Sequence, residues 1–102
     1  MADRLAPAWT RRISETTFIS RDTTVLAAPV KEEILIMTAE SGRYLGLDSI
    51  GSDIWRRLEQ PCQFGALIDA LTAHYEADWA VIADDVAKLL LEMESHRLVN
   101  LD

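Results

Sequence analysis

A chain of 102 residues with a formal charge of −7, from ten basic and seventeen acidic side chains, has room for one compact domain and is a poor average partner for a polyanion. About half the residues are apolar and about a quarter charged, as in an ordinary globular domain, and the single cysteine, Cys62, excludes an internal disulfide and fits a reducing compartment. No apolar run of signal-peptide length opens the chain and nothing approaches the ~20 apolar residues of a membrane span, so the sequence reads as soluble and cytoplasmic.

Residues 1–22 mix Pro7, scattered polar residues and isolated apolar ones without a period. They read as a loosely ordered N-terminal arm or a first edge segment, pinned to the body by Trp9 and Phe18. A single domain is expected over 23–102. It opens with a short β-branched strand over 23–27, which Pro29 closes. Residues 33–38 (Glu-Ile-Leu-Ile-Met-Thr) form a second apolar run of strand length. Residues 39–42 supply a turn, with Gly42 able to take positive φ. Residues 43–47 make a third strand, with Leu45 and Leu47 on one face and Tyr44 on the other. This third strand is the expected edge of an antiparallel meander, because the chain leaves the sheet there for a helix.

After Leu47 the period becomes helical. Asp48 or Ser49 caps a first helix with Ile50, Ile54 and Leu58 four apart and Trp55 beside them. Gln60-Pro61-Cys62 breaks it, and a second helix carries Phe64, Leu67, Ile68, Leu71 and Tyr75 as one stripe. Asp78 is placed to cap a third helix, whose face is Trp79, Ile82, Val86, Leu89, Leu90 and Met93 and which runs to about Ser95. Residues 98–101 read as a short terminal strand or an extended tail. The class is α+β, a three-stranded antiparallel sheet followed by three helices, like a winged helix-turn-helix.

The catalytic templates fail against this inventory. A zinc site needs about four suitably spaced ligands, and the chain has one cysteine, two separated histidines (His74 and His96) and no CxxC or HxxxH. Cys62 and His74 lie at opposite ends of the second helix, roughly 18 Å apart at a rise of about 1.5 Å per residue, and form no dyad. Asp84 and Asp85 are neighbours whose side chains diverge by about 100° on a helix, which reads as a solvated face. The four glycines have no phosphate-loop spacing. Trp55 and Trp79 read as core packing. The expectation is a binding protein rather than an enzyme, with no metal and no cofactor.

The run Gly42-Arg43-Tyr44-Leu45-Gly46-Leu47-Asp48-Ser49-Ile50-Gly51-Ser52-Asp53-Ile54-Trp55 resembles the PqqD family. The likeness continues through Leu58-Glu59, the 67–71 segment, His74-Tyr75-Glu76-Ala77-Asp78, Asp85-Val86 and Leu98-Val99. Asp48 stands where Asn is common, and Cys62-Gln63 where a Thr cap is usual. The resemblance implies a recognition element for ribosomally made precursor peptides, with the leader added as a strand between the third strand and the third helix. The wording is most similar to stand-alone members of lasso-peptide pathways, which implies a leader peptidase as enzyme partner, with a cyclase or a radical-SAM enzyme as other modifying partners. Arg43, Tyr44, Leu45, Gly46 and Leu47 are the expected peptide-binding strand, with Ile82, Asp85, Lys88 and Leu89 from the third helix.

The alternative is a small winged-helix DNA-binding regulator. Against it, residues 76–102 hold seven acids against two bases, Lys88 and Arg97, and a DNA-reading helix needs basic or amide side chains. No nucleic-acid or membrane partner is expected.

Overall fold

A computed structural model describes residues 6–38 and 42–102. A 3-10 turn, Ala8–Arg11, precedes six strands and three helices: β1 (Phe18–Arg21), β2 (Val25–Val30), β3 (Glu33–Thr38), β4 (Tyr44–Leu47), α1 (Ser49–Arg57), β5 (Cys62–Gln63), α2 (Phe64–Tyr75), α3 (Trp79–Ser95) and β6 (Val99–Leu101). The expected meander and helices are present. Gly42 has φ +67, as the turn requires, while residues 39–41 of that turn lie outside the described residues.

The meander β2-β3-β4 is antiparallel, with Ile36 opposite Ala27 on one side and Leu45 on the other. Its inner face carries Ile34, Ile36, Leu45 and Leu47 toward the core. A second small sheet has the order β5-β1-β6, with Ile19 opposite both Cys62 and Leu101. The segment before residue 23, expected as an arm or edge, therefore supplies a central strand. Ile13 and Ile19 anchor it by complete burial, whereas Phe18 is 44% exposed and pins nothing. Trp9 does serve as an anchor: its ring lies 5.5 Å from that of Phe64, and its Nε1 donates to Asp84 at 2.9 Å. Of residues 98–101, Val99–Leu101 form β6.

Pro29 does not close β2 but sits inside it. The antiparallel pattern explains why. The Thr38 N–H bonds the Arg43 carbonyl at 3.0 Å, so Ile34, Ile36 and Thr38 direct their backbone groups toward β4. Residues 33, 35 and 37 then bond β2 through Val30, Ala28 and Leu26, and Pro29 aims its missing donor away from the sheet.

Helix α1 is locked to the meander by three neighbouring residues. The Asp48 carboxylate caps the helix by accepting from Gly51 N–H at 2.7 Å. Gly51 has no side chain where a Cβ would meet Asp48 Oδ1 at 3.2 Å and the Leu47 side chain at 3.4 Å. Ser52, fully buried, accepts from Ile34 N–H at 2.9 Å and donates to the Leu47 carbonyl at 3.1 Å. The far end of α1 is tied to α2: Tyr75 donates to Asp53 at 2.6 Å, and Arg57 pairs with Asp53 at 3.2 Å. Ile54, Trp55 and Leu58 are buried, but Ile50 from the same expected stripe is 53% exposed. Helices α2 and α3 close the core with Phe64, Ile68, Leu71, Leu90 and Met93.

Ser52→Ala strands two buried backbone groups and is expected to lower stability by about 1–3 kcal/mol, measured by urea unfolding. A second expectation concerns pH. Burial pushes the Asp53 carboxyl up, but the hydrogen bonds from Tyr75 and Arg57 outweigh it and hold it below the usual carboxylate value. A depressed folded value stabilises above the unfolded pKa, about 4, and that stabilisation disappears as pH falls through the folded value. The stability gap between wild type and Tyr75→Phe is therefore expected to be largest near neutrality and to narrow in acid titration.

Candidate functional site

β4 has β3 on one side and no strand on the other among the described residues. The same hydrogen-bond phase that explains Pro29 decides what this edge offers. Arg43, Leu45 and Leu47 face β3 with their backbone groups, so Tyr44 and Gly46 point N–H and C=O outward. The two ends are already committed: the Arg43 carbonyl accepts from Thr38, and the Leu47 carbonyl accepts from Ser52. Two donor–acceptor pairs at Tyr44 and Gly46 are what an added strand would meet. A Cβ built on Gly46 would touch nothing within 4 Å. Leu45 is half-buried against the core, Leu47 is buried, and Tyr44 is 65% exposed.

The edge of β2 is different. Its outward-pointing residues are Val25, Ala27 and Pro29, but Val25 N–H bonds the Asp22 carbonyl at 3.4 Å and Pro29 has no N–H. Only Ala27 retains a donor there.

The expected helix residues separate onto two flanks of α3. Ala83, Val86, Ala87, Leu90 and Met93 form its buried stripe. Ile82, Asp85 and Leu89 share one flank at helical spacing; Ile82 and Leu89 are half-buried against the core and Asp85 is exposed. Lys88 does not join them. Its ammonium pairs with Asp84 at 2.9 Å, the carboxylate that also receives the Trp9 indole on the opposite flank. Lys88 first and Trp9 second hold the Asp84 carboxyl below its ordinary value, and Asp84 raises Lys88 in return. Asp84 is thus structural, whereas Asp85 stands clear. Cys62, expected as a helix-start residue, is in β5, and burial pushes its thiol up, away from the reactive thiolate.

The outer face of the meander is apolar where solvent normally imposes alternation. Leu26, Met37 and Tyr44 stand opposite one another across the three strands, with Ala28, Leu35 and Gly46 in the next such row. Leu26 is 59% and Val30 52% exposed. The sequence run 33–38 carried this signal, an apolar strand without alternation. Sequence reasoning did not register that its second face is uncovered in this structure.

Among the described residues no group of three or more His, Cys, Asp or Glu side chains converges as a metal site requires, and no helix is long and apolar enough to cross a membrane.

Residues 33–99 match the family described as coenzyme PQQ synthesis protein D (PqqD). The match spans β3, β4, β5, the three helices and the first residue of β6, and the chain belongs to the PqqD family. Among solved structures it is similar to one titled "TbiB1 in Complex with the TbiA(beta) Leader Peptide", with 27% identity and a TM-score of 0.74 over 79% of this chain and 94% of that one. No curated protein matches the chain.

Proposed function

We propose that this protein is a non-enzymatic recognition element that binds the leader region of a ribosomally synthesised precursor peptide. The leader adds as a strand to β4, in the groove between β4 and α3, and the protein delivers it to a modifying enzyme in the cytoplasm. The observation that carries this reading is the pair of outward backbone sites at Tyr44 and Gly46, on a β4 edge that no strand of the chain occupies among the described residues. Family membership and the likeness to a TbiB1 structure that contains a leader peptide support the same reading. Backbone pairing supplies affinity with little demand on sequence. Side-chain selection falls to Leu45 and Leu47 beneath the edge and to Ile82, Asp85 and Leu89 across the groove, with Asp85 receiving a leader lysine or arginine.

The delivery partner is a leader peptidase of the lasso-peptide kind. The apolar outer face of the meander supports a protein partner there, since it adjoins the β4 edge and would extend onto a strand added to it. A winged-helix DNA reader is disfavoured by charge: α3 exposes Asp85 and Glu92, and its one lysine is engaged by Asp84.

Two outcomes are expected in fluorescence-anisotropy titration with a labelled precursor leader peptide, beside a scrambled leader and duplex DNA. Gly46→Pro removes an outward donor without touching the β3 ladder and weakens leader binding by about tenfold or more while the fold persists by circular dichroism. Saturable binding to duplex DNA but not to the leader would reverse the assignment. Leu26→Asp leaves leader affinity within about twofold, because it lies two strands from the edge, yet slows leader cleavage by the partner peptidase.

A further inference from the structure

The far side of the same sheet holds a cleft of about 390 Å³ between β2, the end of β1 and the C-terminal half of α1. Its origin is a difference in side-chain size. Ala27 and Pro29 are too small to fill the space against the helix, while Ile34 and Trp55 behind them are buried and Arg21 covers the Trp55 ring. Two guanidinium groups line the mouth. Arg21 lies over the Trp55 ring, 4.6 Å from its centroid, and its Nε donates to the Trp55 carbonyl at 3.1 Å, with Nη2 on the same oxygen. Arg56 donates one Nη2 hydrogen bond to the Glu32 carbonyl at 2.8 Å. Neither arginine forms an ion pair among the described residues, although Glu59 stands at the rim.

These are unusual circumstances for arginine in a chain of net charge −7. A guanidinium offers five donors, and Arg21 commits two of them while Arg56 commits one. Arg21 is held rigid by a carbonyl and a ring, is half-buried, and burial lowers its proton affinity against the opposing pull of Glu59. A partly desolvated, immobilised cation that Glu59 influences from the rim without pairing directly, beside the small apolar side chains of β2, suits a carboxylate on a short apolar stem. The neighbouring β2 edge, with its single free donor at Ala27, is unsuited to strand addition. What binds here is read through a side chain.

We propose that this cleft is a second binding site, taking a glutamate or aspartate side chain of a peptide or protein partner, with the carboxylate between Arg21 and Arg56 and the stem against Ala27 and Pro29. The site is independent of whether β4 takes a leader.

The test is a two-dimensional ¹H–¹⁵N NMR titration of the full chain with the peptide acetyl-Ala-Glu-Ala-amide. Its glutamine counterpart, sodium acetate and inorganic phosphate serve as the other arms. Saturable shifts at the Trp55 indole, the Arg21 Nε and the Ala27 and Ala28 amides are expected with the glutamate peptide, with the glutamine peptide weaker by about tenfold. Arg56→Gln, an exposed change, weakens the response by about threefold to fivefold with spectral dispersion retained, and Arg21→Lys weakens it further by removing the forked donor set. Equal response to the glutamate and glutamine peptides, shifts confined to other regions, or shifts with phosphate or acetate but not with the glutamate peptide would each overturn the proposal. Anisotropy with the labelled leader is unchanged in Arg56→Gln, which separates failure here from failure of the β4 reading.

Discussion

One hydroxyl group holds the geometry on which the edge depends. At the register position where Ile34 and Leu47 would exchange a backbone bond, Ser52 inserts its side chain, taking the proton of one strand and giving its own to the other. The insertion joins β3, β4 and α1 at one buried point, where the cost of an unmade bond is highest. Asp48 and Gly51 complete the joint by fixing where the helix begins and how closely it approaches Leu47. A four-residue strand paired on one side is marginal by itself. With its end clamped to a helix, it stays extended and keeps its outer backbone groups presented.

The meander and the helices were legible because each carries its signal within a short window. Alternation at Tyr44, Leu45 and Leu47 and the four-residue spacing of Ile54 and Leu58 were sufficient. The second sheet was not legible. Its strands are two to four residues long, and Ile19 meets Leu101 from the other end of the chain, a pairing that no local pattern encodes. Phe18 departs from its expected anchoring role because size alone does not set burial: the alternation of β1 turns Ile19 inward and leaves Phe18 outside. Pro29 departs from its expected role for the opposite reason. Locally it ends a strand, but the tertiary position of β2 at an edge makes its missing donor harmless.

The site divides along the same line. The residues of β4 could be named from sequence, but which of them face outward depends on the phase of the β3 ladder, and that is a property of the paired strands. The period of α3 placed Ile82, Asp85 and Leu89 together. Lys88 could have been separated from them in advance, since Asp84 stands four residues before it and competes for its charge. The Arg21–Trp55–Arg56 cleft was beyond reach, because it exists only where the consecutive strands β1 and β2 meet the far end of α1, well along the chain, and leave a gap between small and large side chains.

The two borders of the meander differ in a way that bears on assembly. A sheet with two competent borders is a monomer unit for an open-ended fibril, each copy templating the next. Here one border is nearly silent, with Pro29 and the engaged Val25 amide leaving a single donor. Pairing β4 of one copy with the β2 border of the next would therefore lack most of the donors it needs from its first step. The protein can leave β4 exposed for a partner without becoming a seed for its own polymerisation.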